Sequence, residues 1–386
     1  MIYTKLKNIN KYVSKSVNPM KTPDSMFEMY SVPIYDTGHP EYLVGREIGS
    51  SKISVQKGDI LLCKINPRIN RVWIVAKESN YPNIASSEWI VIRSPEYNPA
   101  FLAWYFKSPN FRKLMVSQVT GIGGSLTRAQ PKAVAEYPVP VLSLGEQNSI
   151  ARILDKVSSI IDVRKQQLAK LDELVRSRFV EMFGDPLSNV HKLNYTMPEV
   201  CEIIDGDRGK NYPKQEDFTE SGYCLFLNAK NVTATGFQFD SCMFITKEKD
   251  SSLRKGKMKR GDIVLTTRGT LGNIAFYDNS VPFEHVRINS GMVILRMNHV
   301  IISDMFFIEQ FKMQLAVIKQ KIASGSAQPQ LPISTMNQIN LIVPPLSQQN
   351  EFAAFVEQVN KTKSTIQKSL KEMQLLFDSL MQTYFG

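Results

Sequence analysis

The sequence predicts an α/β (α+β) fold in two copies, separated by two long helices that form an antiparallel coiled coil: a pseudo-two-fold internal repeat. Three observations carry this prediction. From Gln147 to Gly184, Ile150, Ile153, Leu154, Val157, Ile160, Ile161, Leu168, Leu171, Leu174, Val175, Phe179 and Met182 recur at spacings of three and four. That is the apolar stripe of an amphipathic or coiled-coil helix, with Arg164 as its polar break. Gln349 to Gly386 repeats the stretch at a constant offset of 202, so that Gln147 matches Gln349, Leu168 matches Leu370 and Phe183-Gly184 matches Phe385-Gly386. The segments before the helices repeat as well. Lys57-Gly58-Asp59-Ile60 aligns with Arg260-Gly261-Asp262-Ile263 at an offset of 203, and the same offset aligns Asn70 with Asn273, Ser87 with Ser290 and Arg93 with Arg296. The expected organisation is a domain over 1–142, a helix over 143–185, a second domain over 186–346 and a second helix over 347–386.

In chain order, Ile60-Leu61-Leu62, Trp73-Ile74-Val75 and Trp89-Ile90-Val91-Ile92 are short apolar runs between turn residues, the pattern of strands. Phe101 to Val116 is a helical stretch that Pro109 breaks or starts. Gly121 to Ser125 is a flexible loop, and Tyr137 to Leu142 is extended because its prolines disfavour helix. Ser143-Leu144-Gly145-Glu146 has the spacing of a capping box at the mouth of the first long helix. Asn350 leaves the box incomplete in the second. Gly184 and Pro186 form the stop signal. In the second copy, Lys64-Ile65-Asn66-Pro67-Arg68 is replaced by Thr267-Arg268-Gly269-Thr270-Leu271, so the strands repeat while the loops differ.

Two readings of the long helices follow. Each packs on its own domain as core, or the two pair antiparallel as a rigid spacer. About 37 residues at ~1.5 Å rise span roughly 55 Å. The near-heptad spacing and the duplication favour the spacer.

The chain has 386 residues, 47 Lys plus Arg against 36 Asp plus Glu, and a formal net charge of +11. Such a balance points to a polyanionic partner, nucleic acid first; the alternative is a basic protein with no such partner. Cys63, Cys201, Cys224 and Cys242 stand far apart, with no C-x-x-C and no clustered histidine, which implies neither a disulfide framework nor a zinc site and fits a reducing cytosol. The N-terminus is no signal peptide, and no apolar run of about 20 residues predicts a membrane span.

Two similar basic domains on a fixed ruler suit a bipartite double-stranded DNA target, with half-sites about one helical turn, ~34 Å, apart. Candidate base or phosphate contacts fall in loop groups. The first is Lys64, Asn66, Arg68, Asn70 and Arg71 in copy one, with Thr267, Arg268, Thr270 and Asn273 in copy two. Its alternative is a polar turn between strands. The second is Ser125, Thr127, Arg128 and Gln130, with Ser324, Ser326, Gln328 and Gln330; its alternative is a solvated connector. The third is the run Arg254 to Arg260, with Lys255, Lys257 and Lys259, whose alternative is a solvated face. Arg208 and Lys210 form a further basic turn. Such side chains serve phosphates through Lys and Arg, and base edges through Asn, Gln, Arg and Ser. Trp104-Tyr105-Phe106 and Phe306-Phe307 are expected in the core rather than as stacking platforms.

Motifs for catalysis do not occur. There is no P-loop, no H-E-x-x-H, no G-x-S-x-G and no [DNS]-P-P-[YFW] of amino-methyltransferases.

These residues resemble a known family. Val139-Pro140-Val141-Leu142 with Glu146-Gln147 and Ile150-Ala151, the closing Arg178-Phe179 and Met182-Phe183-Gly184, Val343-Pro344-Pro345-Leu346 with Gln348-Gln349, and Arg260 to Gly272 are similar to the specificity subunit (S subunit, HsdS-like) of type I restriction-modification systems. The likeness covers the whole chain; Gln348 departs from the family's usual Glu, and copy one diverges around Cys63 to Arg68. The resemblance implies two target-recognition domains that bind no cofactor and perform no chemistry. It implies a bipartite asymmetric site and two modification subunits carrying S-adenosylmethionine, which flip and methylate adenine at N6. It also implies restriction (translocase/nuclease) subunits and a cytoplasmic location. The alternative is a stand-alone bipartite DNA-binding repressor or adaptor with no methyltransferase partner.

Overall fold

Residues Leu144–Phe183 and Leu346–Phe385 each form one unbroken helix of 40 residues in a computed structural model that describes residues 2–120, 127–188, 194–323 and 330–386. The first begins as its sequence requires. Glu146 Oε2 accepts from the Ser143 backbone N–H at 2.8 Å and from its hydroxyl at 2.6 Å, while Ser143 Oγ accepts from Glu146 N at 3.3 Å. These bonds hold the Glu146 carboxyl below its ordinary range. Gly184, at φ +90°, ends the helix and donates its N–H to Val180 O at 2.9 Å.

The chain forms two compact units, Met1–Lys165 with Lys368–Gly386, and Gln166–Gln367. Each long helix is shared between them, and the two cuts fall at repeat-equivalent positions. Along the first helix the buried and half-buried positions run Ile150, Leu154, Val157, Ile161, Arg164, Leu168, Leu171, Val175, Phe179 and Phe183. The second helix repeats them 202 residues later, from Phe352 to Phe385. From Ile150 to Val175 the steps alternate between four and three, the 3.5-residue period of a coiled coil, and the last two are four each. Within the first unit Ile150, Ala151 and Leu154 share a core with Met381 and Phe385. Within the second, Val175, Phe179 and Phe183 share one with Phe352, Val356 and Val359. In both, the start of one helix meets the end of the other, which is antiparallel pairing.

The seam residues also pack on their own domains. Phe179 lies 5.3 Å from Phe306, and Phe385 lies 5.6 Å from Phe101, between ring centroids. The helices therefore pair antiparallel and also pack on their own domains. One stripe residue is a correction: Leu174 is 47% exposed, as is its repeat partner Leu376 at 43%. Position 161 of the seam becomes Lys363 in the second helix, where Asp172 receives its ammonium.

The first unit holds a five-stranded sheet, in the order Ser16–Val17, Lys52–Ser54, Asn83–Ala85, Met26–Tyr30, Glu41–Val44, and a three-stranded antiparallel sheet, Val72–Ile74, Ile60–Cys63, Trp89–Ile92. The second unit repeats the latter within a four-stranded sheet, Cys201–Asp205, Met292–Met297, Ile263–Thr266, Ile274–Phe276. A smaller sheet there joins Phe244–Ile245, Cys224–Phe226 and Val286–Arg287. In each unit a short antiparallel pair closes the domain beside the start of a long helix: Tyr3–Lys5 with Pro138–Pro140, and Tyr195–Thr196 with Asn340–Leu341. Pro109 does break the domain helix, into Pro99–Lys107 and Pro109–Ser117, with Ser108 capping the second part. The counterpart Asp304–Ala323 has no proline inside it and is continuous. Trp104, at 2.7 Å from Asp155, is half-buried, while Tyr105, Phe106, Phe306 and Phe307 are core, as their pattern predicts.

The repeated Gly-Asp-Ile has a structural reason. Gly58 and Gly261 sit at φ +87° and +91°, a region that favours glycine. Each delivers a buried carboxylate to a bidentate arginine. Arg93 reaches Asp59 at 2.7 and 2.7 Å, and Arg296 reaches Asp262 at 2.9 and 2.8 Å. Gln147 and Gln349 are likewise equivalent and buried. Gln147 accepts from Asn98 N at 2.8 Å and donates to Leu142 O at 2.9 Å; Gln349 accepts from Ser303 N at 2.9 Å and donates to Pro344 O at 2.7 Å. The departing Gln348 is exposed, so its change costs the helix start nothing buried.

Candidate nucleic-acid interface

The first loop group leaves the strand Ile60–Cys63 through a turn that needs left-handed backbone. Asn66 and Asn70 adopt φ +47° and +55° around the 3₁₀ turn Pro67–Ile69, and Gly269 takes the place of Asn66 at φ +70°. Asparagine and glycine are the residues that tolerate this region. Asn70 Nδ2 donates to Phe106 O at 3.1 Å and ties the loop to the domain helix. Asn66 Oδ1, Asn70 Oδ1 and Arg71 Nε are buried without a hydrogen-bond partner, an unusual concentration in one loop. Arg68 is exposed.

The structure brings the first and second loop groups together, and does so identically in both units. Ile65 bridges Arg128 in the first, and Arg268 bridges Gln330 in the second. Asn66 N donates to Thr127 O at 2.8 Å and Ala129 N to Lys64 O at 2.8 Å; Leu331 N donates to Thr267 O at 3.0 Å. Arg128, Arg268, Thr270 and Gln330 are exposed on these faces, and Thr127 and Gln130 are half-buried. Ser125, Ser324, Ser326 and Gln328 lie outside the described residues.

In the second unit the remaining groups join the same face. Asp207 accepts from Gly209 N at 2.7 Å, Arg254 N at 2.7 Å and Lys255 N at 3.3 Å, so the basic run docks on the Arg208–Lys210 turn. Those N–H bonds, led by Gly209, hold the Asp207 carboxyl below its usual range. Arg208 donates to Ser290 O at 3.3 Å, and the next residue, Gly291, accepts from Thr267 N at 2.8 Å and Arg268 N at 3.2 Å. Lys210, Lys255 and Lys259 are exposed.

Some sequence candidates prove to be braces. Thr267 is 5% exposed, with its hydroxyl donating to Gly291 O at 3.0 Å. Asn273 donates to Val232 O at 2.9 Å. Lys64 donates to Ser87 O at 2.7 Å. Lys257 pairs with the buried Asp250, which also receives Arg287. Burial pushes the Asp250 carboxyl up, and the two cations outweigh it, so that its pKa is lowered. Arg260 lies 4.2 Å over Tyr277 and donates to Val281 O and Phe283 O at 3.0 Å each. The basic run is thus divided: Lys257 and Arg260 face structure, Lys255 and Lys259 face solvent.

One residue on this face escaped the sequence reading. Glu88, next to Ser87, lies 3.4 Å from Arg128 and 3.9 Å from Lys64. Its signal was the repeat itself, since the same offset pairs Ser87 with Ser290 and Glu88 with Gly291.

Among the described residues no group of three or more His, Cys, Asp or Glu can hold a metal ion. No described helix is long and apolar enough to cross a membrane.

Residues 192–374 match the model of the type I restriction modification DNA specificity domain. The type I restriction enzyme MjaIX specificity subunit of Methanocaldococcus jannaschii is 24% identical over 303 residues, 73% of this chain and 67% of the relative. The MjaVIII specificity subunit of the same organism is 21% identical over 361 residues, 86% of this chain and 80% of that one. In fold, the chain is similar along its entire length to the type I restriction-modification S subunit from M. genitalium, with a TM-score of 0.58, 15% identity and 96% of that chain covered. The specificity domain matched in the second copy and the relatives matched across both copies give one answer: the chain is similar throughout to the specificity subunits of type I restriction-modification systems, whose part is DNA sequence recognition rather than catalysis.

Proposed function

We propose that each unit reads one half of a bipartite, asymmetric double-stranded DNA site through the face where its two loop groups meet. The observation that carries this reading is the repeated bridge, Ile65 to Arg128 and Arg268 to Gln330, which sets differing loop side chains on one frame. In the first unit Arg68, Arg128, Thr127 and Gln130 face the target, carried by the turn that holds Asn66, Asn70 and Arg71. In the second, Arg208, Lys210, Lys255, Lys259, Arg268, Thr270 and Gln330 do, while Thr267, Asn273, Lys64 and Lys257 hold the loops in place. Exposed cations neutralise phosphates, and amide and guanidinium groups match base edges.

The paired helices set the gap between half-sites and receive the partner subunits. Two modification subunits, carrying S-adenosylmethionine, supply adenine methylation, and restriction subunits supply cleavage. The chain itself contributes binding and placement. The test is reconstitution. The purified chain transfers no methyl group to DNA, and transfer appears when its modification subunit and S-adenosylmethionine are added. Methylation by the chain alone removes this reading. Recovery from its host without any methyltransferase favours a free-standing repressor or adaptor.

A further inference from the structure

We infer that Glu88 reads a base in the half-site taken by the first unit, accepting a hydrogen bond from the exocyclic amine of a cytosine or an adenine. The inference rests on the proposed function of this face as a DNA interface, and gives an acidic side chain on it a task.

Glu88 is anchored on both sides. Its N–H donates to Ser86 Oγ at 3.2 Å, and its carbonyl accepts from Lys64 N at 3.1 Å. The next residue, Trp89, is 3% exposed and donates its indole N–H to Tyr30 O at 2.9 Å. The backbone there is fixed, while 28% of the Glu88 side chain remains open to solvent.

The carboxylate is bracketed but not saturated. Arg128 approaches its two oxygens at 3.4 and 3.5 Å, and Lys64 stands 3.9 Å away. The Arg128 contacts lie at the long limit of hydrogen bonding and the Lys64 contact lies beyond it. An ionised carboxylate has about four acceptor positions, so capacity remains for a donor at full strength. The two cations offset its repulsion from phosphates.

An acid in the middle of a polyanion-binding face is unfavourable unless it receives a donor from the ligand. In the major groove those donors are the cytosine N4 and adenine N6 amines, and glutamate matched to the cytosine amine is one of the recurrent base contacts. The second unit has Gly291 at the equivalent place, so the fold of the unit does not need the acid. Glu88 belongs to what differs between the copies, which is where two different half-sequences must be distinguished.

The chain and its modification subunit are expressed together in a host lacking adenine methylation, and the methylated motif is mapped by long-read sequencing for the parent, E88Q and E88G. The expected result is relaxation or change at one base position of one half-site, with the other half-site and the gap unchanged. E88G installs the residue the second unit already carries, and serves if E88Q does not fold. An unchanged motif in both variants overturns the inference. So does a uniform rise in affinity for all DNA, which would make Glu88 only a charge brace for Lys64 and Arg128. If the parent pair methylates nothing, the specificity reading itself fails, a different outcome. On the parent complex, amines of the mapped half-site are then deleted singly, with adenine replaced by purine and cytosine by an analogue lacking N4. One deletion lowers affinity by about tenfold and has no effect in the variants, and its identity separates cytosine from adenine. If every deletion leaves the parent's affinity unchanged, Glu88 reads no amine.

Discussion

Asp59 and Asp262 show what a repeated residue does when a repeat preserves packing and lets the surface drift. Each is about 1% exposed, each is forked by one arginine, and each also accepts a backbone N–H, from Gln56 at 2.9 Å and from Lys259 at 2.6 Å. Losing one partner of such a pair strands the other, and because the Arg296 side chain is 27% exposed, the cost is screened. D262N should lower the stability of the second unit by about 1–3 kcal/mol, read as a shift in a denaturant midpoint. A second residue carries a pH dependence. The N–H groups of Gly209, Arg254 and Lys255 hold Asp207 below its unfolded pKa, so its stabilisation is complete above about 3.9 and is lost as pH falls through the lower folded value. D207N should therefore lower stability by a constant amount above about pH 3.9, with the difference from the parent shrinking as pH falls through the acid limb. A parallel loss at all pH values would mean that Asp207 acts by packing alone. At this scale the sequence displayed the Asp and Arg positions plainly, because both copies carry them. It did not display Glu88, because a surface charge has no periodicity and its meaning depends on which loops meet around it.

At the scale of elements, spacing predicted more than residue type did. Phe179 and Leu174 both belong to the apolar stripe of the first long helix, yet Phe179 is fully buried while Leu174 is 47% exposed. A 3.5-residue seam admits Val175 and Phe179 and leaves Leu174 to one side, and only the partner helix decides where the seam runs. F179A should cost about 3–5 kcal/mol, whereas L174A should cost under about 0.5 kcal/mol. Equal losses would mean that the seam is misplaced. The basic run Arg254–Arg260 makes the same point about charge. Written as letters it is one patch, yet Asp250 captures Lys257, and Tyr277 with neighbouring carbonyls captures Arg260. K255Q with K259Q should reduce the slope of log affinity against log salt by up to about 0.9 per lost phosphate contact, with folding intact. K257M should instead destabilise the unit, because it leaves Asp250 with one cation fewer. The strands of the three-stranded sheet and of its repeat were readable from short apolar runs, but their pairing order was not, since neighbours such as Ile60–Cys63 and Trp89–Ile92 are separated by loops that carry no register signal.

For the whole molecule, the repeat makes a prediction that neither unit makes alone. Both long helices are shared between the units, and their seams coincide position for position at an offset of 202. Lengthening one helix alone shifts its seam against the other, and four added residues would turn Leu168 onward out of register. A whole heptad added after Arg164, matched by a heptad after its equivalent Ile366, keeps every seam contact. Seven residues at ~1.5 Å add about 10 Å, the rise of about three base pairs at ~3.4 Å each. The matched double insertion should retain methylation with the modification subunit, keep both half-site sequences and widen the tolerated gap by about three base pairs. The insertion in the first helix alone should lose methylation or stability. If the matched insertion changes a half-site sequence, the helices take part in reading bases. If it leaves the gap as it was, the spacing is set outside the helix pair, and the role proposed for that pair is wrong.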